Sequence, residues 1–148
     1  MYKWILALHI ISATIWAGGH LILSIGFLPR ALKKKDVSII TGFESVFEGI
    51  GIPSLIIQVL TGFYLAWELT ARDISKWFDF NTFHGIHISL KLLFLILTLF
   101  LAFHARFRII PKLKAENLNS LAVHIVSVTV LAVLLVLTGV SFRVGGLL

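Results

Sequence analysis

Four stretches of the chain are almost free of charged residues, and each is about as long as a helix that crosses a lipid bilayer. They run from about residue 4 to 28, 50 to 67, 83 to 107 and 121 to 142. A membrane-spanning helix needs about 20 mostly apolar residues. None of the stretches alternates apolar and polar residues as a transmembrane strand does, so helices are the spanning structures that remain. The pattern therefore predicts an all-α fold, an integral membrane four-helix bundle that forms a single domain over residues 1–148.

The composition agrees with a membrane protein. Of the 148 residues, 58% are hydrophobic and 14% are charged, whereas a soluble domain has about 25% charged and 45–50% apolar residues. Soluble enzymes, nucleic-acid binders and disordered chains are therefore poor matches. The chain contains no cysteine, which excludes disulfides, thiolate metal sites and iron–sulfur clusters.

The basic residues predict how the bundle is oriented. Most of the 13 Lys and Arg residues lie in the loops after the first and third predicted helices: Arg30, Lys33, Lys34, Lys35, Arg106, Arg108, Lys112 and Lys114. Loops rich in Lys and Arg remain in the cytoplasm, so we expect a multi-pass protein of the cell inner (cytoplasmic) membrane with both termini on the outer (periplasmic) side. Topology and attraction to anionic lipids of the bilayer then explain the positive charge, and no nucleic acid is needed as a partner.

The six histidines stand out, because an ionisable residue inside a transmembrane segment is costly and indicates a function. At 100° per residue, His9 and His20 fall on one face of the first helix, about 16 Å apart along its axis. Trp16 lies on the same stripe. Gly18 and Gly19 beside it would allow another helix or a flat ligand to approach closely.

Comparing the depths of the histidines in the first, third and fourth predicted helices predicts two pairs. His9 matches His87 or His84 near the outer surface, and His20 matches His124 near the inner surface. His104 lies off this pattern, and we interpret it as a packing or interfacial residue.

Such pairs suit the two axial ligands of an iron porphyrin held between helices. We therefore expect haem b, bound at one or two bis-histidine sites. Two stacked sites would carry electrons across the membrane, with a quinone or a redox protein as partner. Copper transport is an alternative, since His84 and His87 lie one turn apart and imidazoles bind Cu(II). The chain lacks cysteine and has one methionine, so it has few of the soft ligands that Cu(I) prefers.

Lys91 lies one turn below His87 on the third predicted helix. A buried ammonium needs a partner, and a haem propionate, Glu68 or Asp79 would serve. The alternative is an ordinary lysine whose ammonium reaches outward to the membrane surface.

Short motifs add a resemblance to known families. They are Leu8-His9-Ile10, Ile15-Trp16-Ala17-Gly18-Gly19, Thr61-Gly62, Ala66-Trp67, Lys91-Leu92-Leu93 and the stretch from Arg106 to Pro111. In this order they resemble the copper-resistance D (CopD) membrane family. They are also similar to the related HemJ group of protoporphyrinogen oxidases, in which a histidine of the first helix binds haem b and a lysine of the third helix is functional.

The HemJ resemblance implies those roles for His9 and Lys91 and makes a haem-dependent oxidoreductase a further possibility. Gly18-Gly19 is closer to CopD, and His20 and His124 have no counterpart in the HemJ pattern, which favours a histidine-rich electron-transfer protein. Electron transfer, copper transport or resistance, and porphyrinogen oxidation therefore stay open as functions, as does whether the chain is an enzyme. A homo-oligomer or a subunit of a larger membrane complex is compatible with each.

Overall fold

Long helices account for most of the fold. A computed structural model describes residues 1–147, and four of its helices are long and apolar enough to cross a membrane: α1 (Tyr2–Lys34), α2 (Ser38–Leu69), α3 (Phe83–Lys112) and α4 (Ala115–Val144). A short 3₁₀ turn, Ile74–Phe78, lies in the connection between α2 and α3. The part of the chain that the structure describes contains no strand. The predicted all-α membrane bundle is confirmed.

The outer faces of the helices are apolar. Large side chains such as Ile25, Leu60, Phe100 and Phe107 are each at least 66% exposed. An apolar surface of this extent would be unfavourable in water, whereas lipid tails solvate it well. The bundle therefore contacts the bilayer around its circumference.

The helices are arranged in the order α2, α1, α4, α3 around the bundle. The backbone of α1 packs against α2 and α4, and α3 packs against α4, while α2 and α3 approach each other little. We call the end with the short connections 35–37 and 113–114 the basic end. The opposite end, with both termini and the connection 70–82, is the terminal end.

The hydrophobic core is concentrated towards the basic end. It consists of Leu23, Leu28, Ala31, Ile40, Ile109, Leu118, Leu121 and Ile125. A smaller cluster of Trp16, Ala17, Val128 and Ala132 lies nearer the middle of the bundle. Both clusters join α1 to α4, so these two helices form the centre of the structure.

The first helix does not end before Pro29, as the sequence pattern predicted, but continues to Lys34. A π-helical turn, Leu23–Phe27, precedes the proline. Pro29 then lies in the first turn of the α-helical segment Leu28–Lys34, where its missing N–H removes no α-helical hydrogen bond. A second π turn, Ala105–Ile109, precedes Pro111 in α3, which ends at Lys112.

The second helix begins at Ser38, about three turns earlier than predicted. Glu44 and Glu48 lower the hydropathy of this part without interrupting the helix, since Glu is a good helix former. Just before it, Asp36 Oδ1 accepts hydrogen bonds from the backbone N (2.9 Å) and Oγ (2.6 Å) of Ser38. These bonds lower the pKa of the exposed Asp36 carboxyl. Glu44 consequently lies inside the bundle rather than in a loop.

Candidate functional site

All four helices line a small cavity at the basic end. Its volume is about 130 Å³, and its polar lining residues are His20 of α1, Glu44 of α2 and His124 of α4. Ala102 and Ala105 of α3 contribute small side chains to its wall. We call this cavity the histidine chamber. The depth comparison predicted that His20 and His124 lie close together, and the two side chains do line the same space.

His20 is oriented by its own helix. Its Nδ1 lies 3.0 Å from the Trp16 carbonyl oxygen, which can only accept, so the proton is assigned to Nδ1 and Nε2 keeps a lone pair. The His20 ring packs against the buried Trp16 ring with centroids 4.3 Å apart, and the Phe47 ring meets it edge-on at 5.7 Å. A side chain at Gly19 would overlap Phe47. The predicted close helix approach is therefore confirmed at Gly19, whereas the position of Gly18 is open.

His124 is paired with His104, which the sequence pattern left without a partner. His124 Nδ1 donates to the Ser120 carbonyl (2.9 Å), so its Nε2 accepts a hydrogen bond from Nδ1 of His104 at 2.9 Å. The two rings are stacked, with centroids 5.0 Å apart and planes 16° from parallel. The sequence pattern predicted a packing or interfacial role for His104, and this exposed residue does pack against His124. The pattern missed the hydrogen bond, because the angle of His104 relative to His87 does not determine which neighbouring helix it faces.

Two glutamates of α2 behave differently at this end. Glu48 Oε1 forms an ion pair with Nη2 of Arg106 at 3.0 Å, which links α2 to α3. Within residues 1–147, Glu44 forms no ion pair, and its side chain lines the histidine chamber. Sequence reasoning missed Glu44 because the predicted start of α2 placed it outside the membrane helix.

The chamber brings imidazole nitrogens and a carboxylate towards one space. Both ligand types bind metal ions. Among the described residues, however, no group of three or more His, Asp and Glu side chains is already arranged around a metal position. The closest pair of potential metal ligands is His104 and His124. His20 and Glu44 line the same cavity as His124.

At the terminal end, His9 faces α2. Its Nδ1 lies 2.9 Å from Thr61 Oγ1, whose hydroxyl donates to the Ile57 carbonyl at 2.6 Å. His9 is therefore the donor, and its Nε2 keeps a lone pair. Gly62 allows the contact, since a Cβ there would be 3.1 Å from His9 Cε1.

His87 faces α4, so the predicted pairing of His9 with His87 was wrong. The His87 side chain is buried, its Nδ1 donates to the Phe83 carbonyl (2.8 Å), and its Nε2 accepts from Ser141 Oγ (2.7 Å). Both ring nitrogens are thus used within the protein. His84 is exposed and stacks against Phe142, so His84 and His87 do not form the copper-binding pair considered above. Equal depth did not ensure that the side chains faced each other.

Lys91 lies beside Gly139 of α4, and its Nζ is 5.7 Å from the centroid of the Phe142 ring. The predicted partner Glu68 pairs instead with Arg72 at 3.2 Å, and within residues 1–147 no carboxylate forms an ion pair with Lys91. Lys91 and His9 are within electrostatic range of each other. Gln58, whose buried Oε1 lacks a hydrogen-bond partner among the described residues, contributes a further polar group to this part of the bundle.

The predicted bis-histidine haem sites do not fit this geometry. At the terminal end, His9 and His87 point at different helices. At the basic end, the volume of about 130 Å³ is similar to a cavity of about 150 Å³ that holds benzene, and a porphyrin contains four pyrrole rings. A metal ion with a few waters is the size of ligand that the chamber accepts.

Comparison with known proteins identifies a family. No curated protein and no solved structure matches the chain. A family described as copper resistance protein D (CopD) matches residues 42–142. This range includes Glu44, Lys91, His104 and His124. Because the match covers most of a four-helix membrane protein, the chain belongs to the CopD family.

Proposed function

We propose that the protein binds copper in the histidine chamber and handles it at the membrane. The observation that carries the proposal is that His20, Glu44 and His124 line one cavity while His104 contacts His124 at 2.9 Å. Neutral imidazoles are good copper ligands. Membership of a copper-resistance family supports the same ion.

The hydrogen bonds of the chamber suit a metal ion. His20 and His124 each donate Nδ1–H to a backbone carbonyl, which is the outer contact that typically orients a metal-binding histidine. The Nε2 lone pair of His20 is thereby available as a ligand, whereas that of His124 accepts the hydrogen bond from His104 until a metal ion takes its place. Copper held between His104 and His124 would require the His104 proton to move from Nδ1 to Nε2.

Orientation follows from the charges. We propose that the basic end faces the cytoplasm, because Lys- and Arg-rich connections remain there. The histidine chamber would then be near the cytoplasmic surface of the inner membrane. Copper released from the chamber would enter or leave the cytoplasmic side.

Copper titration of the purified protein tests the proposal. We expect stoichiometric binding of Cu(II), the oxidation state that nitrogen and oxygen ligands prefer, measured by competition with a chromophoric chelator. His124→Ala should weaken the affinity by about tenfold or more, and His104→Ala should also weaken it. His84→Ala is the matched control, since His84 is exposed and away from the chamber. Wild-type copper affinity in both His124→Ala and His104→Ala would refute the proposed site.

A competing hypothesis is a single haem b at the terminal end, as the HemJ resemblance implies. It is favoured by the unpartnered Nε2 of His9 and the nearby Lys91. His9 would hold the iron and Lys91 a propionate, and the haem would supply redox chemistry. A reduced-minus-oxidised spectrum decides the matter. A haem α-band lost in His9→Ala would support the haem hypothesis, and protein that binds copper and shows no such band would support the chamber.

A further inference from the structure

A second, larger concave surface lies between α1 and α2 at the basic end. This open groove has a volume of about 620 Å³, within the range of ligand sites. Its apolar lining residues are Phe27, Ile39, Phe43, Val46, Phe47 and Ile50. Gly42 also lines it, and Arg30 and Lys34 are its charged residues. We call it the α1–α2 groove.

The sequence builds the groove from two helical stripes. On α1, Phe27, Arg30 and Lys34 follow at spacings of three and four residues, which places them on one face. On α2, the lining residues between Ile39 and Ile50 also recur at helical spacing. Gly42 leaves the groove open, because nothing lies within 4 Å of where its Cβ would be.

The two cations of the groove are free to bind a ligand. Arg30 and Lys34 are exposed, and neither forms an ion pair within residues 1–147. They lie four residues apart, so their charges point to the same side. Arginine binds phosphate through two parallel hydrogen bonds, and lysine adds a second positive charge.

We propose that the α1–α2 groove binds an acidic phospholipid. The phosphate would contact Arg30 and Lys34, and one acyl chain would lie along Phe43, Val46 and Ile50. The combination of an apolar groove with two cations matches an amphipathic anion better than either feature alone. Basic pockets between transmembrane helices are known to bind anionic lipid headgroups. The proposal is independent of copper binding, since no chamber histidine lines the groove.

Charge variants test the headgroup contact. Native mass spectrometry of the detergent-solubilised protein would compare phosphatidylglycerol with phosphatidylcholine of the same acyl chains. We expect selective retention of phosphatidylglycerol, reduced by about tenfold in the double variant Arg30→Gln/Lys34→Gln. The control Lys33→Gln/Lys35→Gln removes the same charge from residues that do not line the groove. Equal losses in both variants, or equal binding of the two lipids, would overturn the proposal.

A second pair of variants tests the acyl-chain contact. Gly42→Leu fills the groove, whereas Gly18→Leu adds the same side chain on α1 away from it. Both positions have open space at Cβ, so both variants should fold, as monodisperse elution would verify. Only Gly42→Leu should lose phosphatidylglycerol. If Gly42→Leu retains the lipid, or if inorganic phosphate displaces it at equal concentration, the groove binds a phosphate group alone and the lipid proposal is wrong.

Discussion

The Nδ1 atom of His104 and the Nε2 atom of His124 are 2.9 Å apart across the interface of α3 and α4. The direction of this hydrogen bond is determined by Ser120, whose carbonyl accepts a hydrogen bond from Nδ1–H of His124 and so leaves Nε2 as the acceptor. The pair therefore holds one shared proton between two neutral rings. A metal ion that replaces this proton would find two nitrogen ligands already adjacent, which is why the pair is central to the proposed copper site.

Glu44 and Glu48 are one turn apart on α2, and we predict different effects of removing their charges. Glu44→Gln should weaken copper binding, because a carboxylate that lines the histidine chamber is lost. Glu48→Gln should leave copper affinity unchanged and lower the free energy of unfolding by up to about 1 kcal/mol, the range of exposed ion pairs. Copper titration and thermal unfolding of both variants measure the two effects. Equal copper affinities would remove Glu44 from the site.

His87 is predicted to be structural. Replacing it by alanine leaves the hydroxyl proton of Ser141 without its acceptor, although Ser141 Oγ still accepts from the Leu147 backbone N–H. This should cost about 1–3 kcal/mol of stability without changing copper affinity. The double variant His87→Ala/Ser141→Ala should be less destabilised than the sum of the single variants, because the two groups form one hydrogen bond. Thermal unfolding in detergent measures the stabilities. A loss of copper binding in His87→Ala would instead assign this histidine to the site.

Gly19 and Gly18 are adjacent but should differ in tolerance. Gly19→Ala places a methyl group against the Phe47 ring, so we expect a destabilisation of about 1–3 kcal/mol from overpacking. Gly18→Ala meets open space and should have no such effect. Adding Phe47→Leu to Gly19→Ala should recover part of the loss. Unfolding of the four proteins tests this, and equal stability of the two alanine variants would contradict the packing described.

The chain contains no cysteine, so single cysteines can report its orientation. We predict that Asn81→Cys, at the terminal end, reacts with a membrane-impermeant maleimide in intact cells. Lys33→Cys, at the basic end, should react only after the membrane is permeabilised. The reverse pattern would place the histidine chamber near the outer surface.

Asp36 should make the stability of the turn before α2 depend on pH. Its hydrogen bonds to Ser38 lower its pKa in the fold, so its stabilising effect is complete above the usual carboxyl pKa of about 3.9. The effect is lost as pH falls through the lowered pKa. Asp36→Ala should therefore unfold at a lower temperature than wild type at pH 7, and the difference should shrink in acid. Asp36→Asn keeps an acceptor and serves as the control.

The hydropathy pattern predicted the number and class of the helices but not their ends. Hydropathy reports contact with lipid, and helices continue where side chains become charged, as at Glu44 and Glu48. The prolines also led to wrong helix ends, because a helix can continue past a proline. The π turns before Pro29 and Pro111 rearrange the backbone hydrogen bonds locally, and no residue pattern in the sequence announces them.

The site could be predicted in part. The comparison of depths correctly predicted that His20 and His124 lie close together, because α1 and α4 are neighbours in the bundle. The same comparison failed for His9 and His87, whose helices pack against different partners. The contact of His104 with His124 depends on helix rotation, which a single sequence leaves undetermined when every helix has apolar residues on most faces.

The two π turns follow His20 and His104 closely, at Leu23–Phe27 and Ala105–Ile109. A π turn accommodates one residue more than an α turn, so everything beyond it is rotated by about 100° relative to an uninterrupted helix. Each π turn thus determines which way the basic residues that follow it face, without changing the direction of the histidine that precedes it. Deleting one residue from Leu23–Phe27 should convert the π turn into an α turn and remove the same 100°, so Arg30 and Lys34 should stay at the groove and His20 in the chamber. This part of α1 can therefore lose one residue in evolution without disturbing the lipid contacts or the metal ligands.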